Sequence, residues 1–296
     1  MSVLTVIQTA ARELGLVPPS TVVANTGDIV AQQLLAFMNR AGQLMRSEVN
    51  WPKLEKEYTF TLTTSTASYA MPADFERFVY STFWDRDSSW EMQGPIDARE
   101  WQLIKSGVPT PAIYRRWRFK GLSTLQFFLA DTPTSADNGT TLVFEYYTRN
   151  WIRPKTWAVT LVFAASTYCF YNGNYYYTSA GGTAGAGGTV VPPTHTSGTT
   201  ADGASGIAWT YFADPYEKAT ADTDELNLDE QLIILDIKWR YRQAKGLDGW
   251  ELMKADRDVA LERFANFNRG AGPISLNAQR IVGSLPYPLS QDTDYG

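Results

Sequence analysis

The sequence is poor in the side chains that carry much of protein chemistry. Its 296 residues include one cysteine, Cys169, and one histidine, His195. A single cysteine excludes an internal disulfide, and with a single histidine it nearly excludes a zinc site. Cys169 lies between aromatic residues and is predicted to be a buried apolar side chain. His195 is predicted to be a turn residue; the alternative is a catalytic base paired with Ser197 or Thr199.

Basic charge and long apolar runs are also scarce. Lys and Arg total 26 against 31 Asp and Glu, so the formal net charge is 26 − 31 = −5. This balance argues against tight wrapping of nucleic acid, which needs clustered cations. The longest uncharged apolar-rich run, 158–171, is shorter than the ~20 residues that span a bilayer. Residues 1–16 have no basic segment or long apolar core, so we expect no signal peptide and no membrane partner.

No motif marks a catalytic centre, because the sequence has no G-x-S-x-G, P-loop, H-E-x-x-H or EF-hand pattern. The glycine-rich stretch 181–188 is followed by no lysine or helix, which favours a flexible loop over a phosphate cradle. Clustered carboxylates are interpreted as solvated turn residues rather than a glycosidase pair: Asp85 and Asp87, and Asp222, Asp224 and Glu225. We therefore expect no catalytic residues, no metal and no cofactor.

Hydrophobic periodicity predicts helices towards both ends of the chain and strands between them. Apolar residues at helical spacing predict helices over 2–14, 28–49, 97–107, 224–245 and 248–267. Alternating patterns predict strands over 58–62, 78–84, 113–119, 124–128 and 141–147. The predicted fold class is α+β: a bundle of N- and C-terminal helices, a β-rich middle module, an inserted small all-β domain and an extended C-terminal tail.

Composition sets the predicted boundaries. Between residues 155 and 213 the charged residues are Lys155 and Asp202 alone, and this stretch contains nine glycines and an Asn172-Gly173 hairpin signal. We predict a small β domain over 155–213, inserted into a core formed by 1–154 and 214–270. The last stretch, 271–296, is rich in Pro, Gly and Ser and lacks periodicity, so it is predicted to be an extended tail.

Aromatic residues are abundant, with 10 Trp, 16 Tyr and 14 Phe. Such rings either fill a core or lie in an interface. In the predicted β domain they favour a small core, and the alternative is stacking on sugar rings. The candidate glycan-binding residues are Trp157, Tyr171, Tyr175, Tyr177 and Trp209.

A basic run lies in the middle of the chain, at Arg115, Arg116, Arg118 and Lys120. Aromatic residues alternate with these cations, as they do in surfaces that bind nucleic acid. The favoured interpretation is a strand with solvated charges. Contact with DNA and contact with an acidic neighbouring subunit are the alternatives.

Several segments resemble the head-to-tail adaptor proteins of short-tailed bacteriophages. They are the opening I-Q-T-A-A-R-E-L-G-L at 7–16, the Q-L-L at 33–35 and the E-V-N-W at 48–51 that ends the second helix. The order of two helices, a β-rich middle, two long helices and a tail also resembles that family. The resemblance covers roughly 1–150 and 225–296. The stretch 155–213 departs from it and looks like a small β module of phage tail and receptor-binding proteins, loosely similar to chitin-binding modules.

The resemblance implies a structural, non-enzymatic protein of the virion, at the head-tail interface, made in the host cytoplasm. It implies a ring, expected to be a dodecamer, docked beneath the portal protein, with the distal tail or nozzle protein and fibres on its other side. Genomic DNA would pass through the channel without sequence recognition. The C-terminal tail would bind the portal through Ile281, Leu285, Tyr287 and Leu289. The alternatives are a glycan-binding tail component and, after it, a peptidoglycan hydrolase.

Overall fold

The computed structural model describes residues 1–107, 115–121 and 125–268. In these ranges the chain has five α-helices and many short strands in several sheets, which confirms the predicted α+β class with N-terminal helices and a β-rich middle. The helices are α1 Val3–Glu13, α2 Ile29–Glu48, α3 Ala98–Lys105, α4 Glu230–Ala244 and α5 Trp250–Asn268. Four helices begin after a polar cap, since the side chains of Ser2, Asp28, Asp97 and Asp229 each accept a first-turn N–H.

Two predicted boundaries are wrong. The helix predicted from 224 begins at Glu230, because the Asp224 carboxylate accepts the N–H groups of Thr220 and Ala221 and so closes a turn. The strand predicted over 78–84 is two strands separated by a turn, in which Ser81 has φ 60°. The predicted strand over 113–119 is described from residue 115 onward, and its regular part begins at Trp117.

The strands are mostly short and antiparallel. In chain order they are β1 Glu55–Thr61, β2 Ser68–Ala70, β3 Phe75–Phe78, β4 Trp84–Asp85, β5 Trp90–Glu91, β6 Trp117–Gly121, β7 Leu125–Leu129, β8 Thr141–Thr148, β9 Ile152–Arg153, β10 Val162–Phe163, β11 Thr167–Tyr171, β12 Asn174–Thr178, β13 Gly182–Thr183, β14 Thr199–Ala201, β15 Ala208–Phe212 and β16 Glu225–Leu226.

The middle module is two sheets around an aromatic core. Strand β8 is central to the first sheet, where it pairs with β1, β3 and β4, and β4 continues to β5. The second sheet has the order β2-β7-β6. Rings from both sheets pack edge-to-face or tilted, for example Phe83 against Phe127 at 5.5 Å and Phe78 against Trp117 at 5.1 Å. Edge-to-face packing is the favoured geometry of aromatic cores.

The helices form a second core around α4, which packs against α1, α2 and α5. The carboxylate of Asp236 on α4 is fully buried and accepts a hydrogen bond from the indole of Trp239 (2.9 Å). Arg257 of α5 lies 3.2 Å from Asp236 and also pairs with Glu48 of α2. One guanidinium therefore links three helices.

The stretch predicted as an inserted β domain, residues 155–213, contributes to two cores, and we call it the β insertion. Its sheet has the order β11-β12-β15-β14, beside the pair β10-β13. One face of the sheet builds a small core of its own from Trp157, Phe163, Cys169, Tyr176, Ala184, Ile207 and Trp209. Since side chains alternate along a strand, Tyr175 on β12 points to the other face and belongs to the helix core. Tyr168, Phe170 and Phe212 pack there too.

Candidate functional site

The first two residues of the basic run are paired within the chain. The guanidinium of Arg115 pairs with Asp137 and approaches Asp85 at 4.0 Å. Hydrogen bonds from the Thr134 backbone and from Arg115 lower the pKa of Asp137 to about 2. Arg116 Nη1 lies 3.4 Å from Glu100 Oε1. These pairings reduce the positive charge and the free N–H donors that both arginines could offer to a phosphate or to a neighbouring carboxylate.

The other two residues of the run lie against aromatic rings. The Arg118 guanidinium is 5.2 Å from the ring centroid of Trp101, and Lys120 Nζ is 5.8 Å from that of Phe128. Lys120 is exposed. Cation–π contacts at exposed sites contribute only ~0.5–1 kcal/mol and leave the charge open to other partners. Contact of this run with a subunit or with DNA stays a prediction, carried chiefly by Arg118 and Lys120.

Two of the candidate glycan-binding residues, Trp157 and Trp209, lie inside the small core of the β insertion. Both indole N–H groups donate to Asp202 Oδ2, at 2.8 and 2.9 Å, and the Ile207 backbone N–H donates to Oδ1 at 2.7 Å. Asp202 itself is buried. A sugar stacks on an exposed ring face, and these two rings are buried. Their arrangement agrees with a core, the favoured alternative.

The three candidate tyrosines lie in three different surroundings. Tyr175 is buried and stacks on Tyr216 at 5.8 Å in the helix core. Tyr171 meets the edge of Trp157 at 5.3 Å, and Tyr177 packs against Tyr168 at 5.0 Å. The structure therefore does not bring the five predicted residues together as one stacking platform.

Cys169 and His195 serve the packing of the β insertion. Cys169 is fully buried, and burial together with nearby Asp202 raises the pKa of its thiol. Such a thiol is unreactive. His195 packs on Tyr176 at 5.0 Å, and its backbone oxygen accepts the Tyr176 hydroxyl at 3.1 Å. Within the described residues no hydrogen bond joins its imidazole to another group, so the alternative, a base paired with Ser197 or Thr199, is absent there.

A cleft of about 390 Å³ lies where the first sheet of the middle module meets the β insertion, and we call it the seam cleft. Its polar and aromatic lining comes from strands β1, β8, β12 and β15 and from the residues before β3. The lining residues include Lys56, Tyr58, Asp74, Tyr146, Asn174 and Tyr211.

Asp74 is the central group of the seam cleft. Its Oδ2 accepts hydrogen bonds from Lys56 (2.9 Å), Thr148 (2.6 Å) and Asn150 (3.2 Å). Its Oδ1 accepts the Tyr146 hydroxyl at 2.8 Å. The carboxylate is therefore held in one orientation by donors from two segments of the chain, β1 and the end of β8.

The pKa values of the cleft follow from burial and from this carboxylate. Burial alone would raise the pKa of Asp74, but Lys56 and the hydrogen bonds outweigh it and hold the pKa below its ordinary value. Burial raises the pKa values of Tyr58, Tyr146 and Tyr211, and for the last two the charge of Asp74 adds to the effect. The three hydroxyls thus stay protonated near neutral pH.

Large aromatic residues are exposed elsewhere on the middle module. Tyr80, Trp84 and Trp90 are 81%, 41% and 44% exposed, on β4, β5 and the turn before them. A shallow cleft of about 490 Å³ beside them is lined by Trp84, Arg86 and several carboxylates. Exposed aromatic groups of this kind are common in protein interfaces.

Metal clusters and membrane-spanning helices are not found in the described part of the chain. Over residues 1–107, 115–121 and 125–268 no three His, Cys, Asp or Glu side chains are grouped to hold a metal, and no helix has the length and apolarity to cross a membrane. The predicted portal-binding residues Ile281, Leu285, Tyr287 and Leu289 lie outside the described residues.

Sequence reasoning missed Asp74, the central group of the seam cleft. It lies in P-A-D-F, which reads as an ordinary turn before a strand. One usable signal was the polar Thr148-Arg149-Asn150 at the end of the apolar strand β8, because buried strand ends rarely carry such residues without a partner.

Comparison with known families gives a match over the first part of the chain. The family model described as SU10 adaptor protein matches residues 1–160. The matched region holds α1, α2 and α3 and strands β1 to β9, and it ends near the start of the β insertion. No curated protein matches the chain.

Proposed function

The chain belongs to the SU10 adaptor protein family, a family of structural phage adaptors rather than enzymes, and we propose that it forms a ring between the portal and the tail of a virion. The observation that carries the proposal is the family match over residues 1–160, more than half of the chain. The ring is expected to be a dodecamer at the head-tail interface, assembled from chains made in the host cytoplasm. Its distal side would receive the tail or nozzle protein and fibres.

Passage of DNA through the ring is compatible with the charge of the chain. A formal charge of −5 per chain, repeated around a ring, favours an acidic channel. Phosphates are repelled by such a wall, so DNA can slide without being held. The internal pairing of Arg115 and Arg116 supports this proposal, because it removes cations that would retain DNA.

Portal binding is proposed for the residues after α5. The stretch 271–296 carries Ile281, Leu285, Tyr287 and Leu289 among Pro, Gly and Ser. A segment of this composition cannot build its own core, but its apolar side chains can be buried against a partner. This supports docking of the C-terminal residues on the portal protein.

The experiment is electron microscopy of the full chain mixed with purified portal protein. We expect rings seated on the portal, and removal of residues 272–296 should weaken their attachment. A sharper variant replaces Ile281, Leu285, Tyr287 and Leu289 by Ala, and its matched control replaces Ser284 and Ser290 by Ala. Unchanged portal binding by the fourfold variant would refute the docking proposal. Absence of rings with the wild type would refute the adaptor assembly itself.

A further inference from the structure

The seam cleft has hydrogen-bonding capacity that the described residues do not use. A carboxylate has roughly four acceptor positions, and Oδ1 of Asp74 accepts one hydrogen bond, from Tyr146. Lys56 has three donors, of which one goes to Asp74, and its side chain is 30% exposed. The acceptor Asp74 and the donor Lys56 are in contact and are both held in place. Two adjacent hydroxyl groups of a ligand could bind to them, because each hydroxyl can donate and accept a hydrogen bond.

Two tyrosines extend this pattern along the cleft walls. Tyr58 on β1 and Tyr211 on β15 are half-buried cleft residues. A protonated phenol is both donor and acceptor, and its ring offers an apolar face. Polar groups around partly exposed aromatic rings are the combination that a polyhydroxylated ring requires, because such a ring has polar edges and apolar C–H faces.

The charges in the cleft select against ionic ligands. The positive charge of Lys56 is matched by Asp74 at 2.9 Å, so the centre is close to neutral. Glu57 and Asp214 also line the cleft, which disfavours phosphate and other anions. A cation would have to approach the ammonium of Lys56. A neutral ligand faces neither penalty.

The size and position of the cleft also fit a ligand site. Its volume of about 390 Å³ falls in the range typical of small-molecule sites, and it lies between two structural units, where such sites concentrate. A neighbouring cleft of about 380 Å³ shares Lys56, Gly173 and Tyr175 with it. The two clefts flank the β11–β12 turn and offer space for more than one sugar ring.

We propose that the seam cleft binds a neutral saccharide, with Asp74 and Lys56 holding adjacent hydroxyls and Tyr58 and Tyr211 contacting the ring. This site differs from the buried aromatic set that the sequence indicated, with which it shares Tyr175 in its lining. The proposal does not rest on the adaptor function, because a virion protein with or without a ring could carry it.

The test is saturation-transfer NMR of the full chain with millimolar glucose, galactose, mannose, rhamnose and N-acetylglucosamine, followed by titration of any sugar that binds. We expect at least one to bind the wild type. Tyr58→Phe and Tyr211→Phe should each weaken binding about fivefold, the loss of one hydrogen bond. These variants keep the rings and remove no hydrogen bond found in the structure, so the fold should be retained. Tyr80→Phe, at an exposed tyrosine outside the cleft, is the matched control.

Three results would overturn the proposal. The first is that no sugar of the set binds the wild type. The second is that the Tyr58→Phe/Tyr211→Phe double variant binds as well as the Tyr80→Phe control. The third is that inorganic phosphate or a basic peptide binds the cleft more strongly than any neutral sugar. Phosphate binding would assign the site to an anionic ligand, and peptide binding would assign it to a protein segment. Ring formation on the portal can be scored separately in the same variants.

Discussion

Three buried aspartates each hold one part of the molecule together. Asp74 joins strand β1 to the end of β8 in the middle module, Asp202 centres the core of the insertion, and Asp236 joins α4 to α5. A buried carboxylate is tolerated when donors surround it, and removing its donors or its charge leaves polar groups without partners. The stability of each part should therefore depend on one acidic side chain.

Asp202→Asn tests this dependence in the β insertion. The carboxylate accepts hydrogen bonds from two indoles and one backbone N–H. The amide keeps one acceptor oxygen, but its NH₂ group faces some of these donors and cannot accept from them. We expect a loss of about 2–4 kcal/mol in unfolding free energy. Urea unfolding followed by tryptophan fluorescence measures it directly, because two of the reporting indoles bind the mutated group. Asp131→Asn, at an exposed aspartate, is the control, and an equal effect of both substitutions would contradict the role of Asp202.

Glu145→Gln should stabilise the protein at neutral pH. Burial raises the pKa of Glu145, and the nearby carboxylates Glu55 and Glu57 raise it further; Glu57 lies directly opposite in the β1–β8 register. Above the ordinary value of 4.5 the folded state therefore binds more protons than the unfolded state, and stability falls as pH rises towards the raised pKa. Glutamine removes this loss.

The expected gain is about 0.5 kcal/mol at pH 7, the size of a cross-strand charge effect, and it should vanish below about pH 4. Urea unfolding at both pH values measures it. Glu262→Gln on the exposed side of α5 should change neither value. A gain that persists in acid would show that the effect is not electrostatic.

Sequence reasoning placed residues by pattern and could not identify the partners of a charge. Cys169 was correctly predicted to be buried, because its neighbours are apolar on both sides. Asp74 looks like any of the 31 acidic residues, and its donors lie far away in the chain, such as Tyr146 and Thr148. Long-range pairing of this kind has no local signal.

At the scale of elements, a close helix contact defines the junction of α2 with the middle module. Gly42 on α2 lies so near Trp151 that a Cβ atom there would be 2.3 Å from the indole. Trp151 is fully buried, and its Nε1 donates to the Glu217 backbone oxygen at 2.9 Å. The indole therefore cannot move aside without losing both packing and a hydrogen bond.

Gly42→Ala should destabilise the protein although alanine is the better helix former. Overpacking costs about 1–3 kcal/mol, and the gain in helix propensity offsets up to about 1 kcal/mol of it, so we expect a net loss of about 1–2 kcal/mol. Thermal unfolding by circular dichroism measures this. Gly27→Ala is the control, since the nearest atom to its added Cβ is Asn25 Oδ1 at 3.9 Å. A stabilised Gly42→Ala variant would show that Trp151 yields easily.

Helices were predicted better than strands for a physical reason. The helices carry both apolar periodicity and a side-chain cap, as at Asp28 for α2 and Asp97 for α3. Strands such as β4, β9 and β16 are two residues long, too short to show alternation, and they exist because a partner strand is present. The predicted start of α4 was too early, because Asp224 closes a turn before the helix and Asp229 is the cap.

At the scale of the whole molecule, the β insertion is tied to the helix core. The sequence predicts a separate small domain because residues 155–213 are poor in charge and rich in glycine. That composition reflects the outer face of the sheet and its loops. The inner face of the same sheet packs Tyr175, Tyr168, Phe170 and Phe212 onto the helix core. Deleting 155–213 would uncover that core, so loss of ring assembly in such a deletion would not show that the insertion is an interface.

Two single substitutions separate the alternatives without uncovering the core. Tyr175 and Phe163 are almost equally buried, 5% and 6% exposed, but they lie in different cores, Tyr175 in the helix core and Phe163 in the core of the insertion. Replacing either by Ala should cost about 3–5 kcal/mol locally. If the two units share a core, Tyr175→Ala speeds amide hydrogen exchange in both α4 and β12, whereas Phe163→Ala speeds it in the insertion and leaves α4 unchanged.

Hydrogen exchange measured by mass spectrometry on both variants and the wild type gives the protection of α4 and of β12 in one experiment. We expect the asymmetry, because cooperative unfolding units follow the packing of side chains rather than the order of the chain. If Tyr175→Ala leaves α4 as protected as in the wild type, the insertion unfolds independently, and the boundaries at 155 and 213 are those of a true domain. In that case the deletion of 155–213 becomes a clean test of whether rings need the insertion.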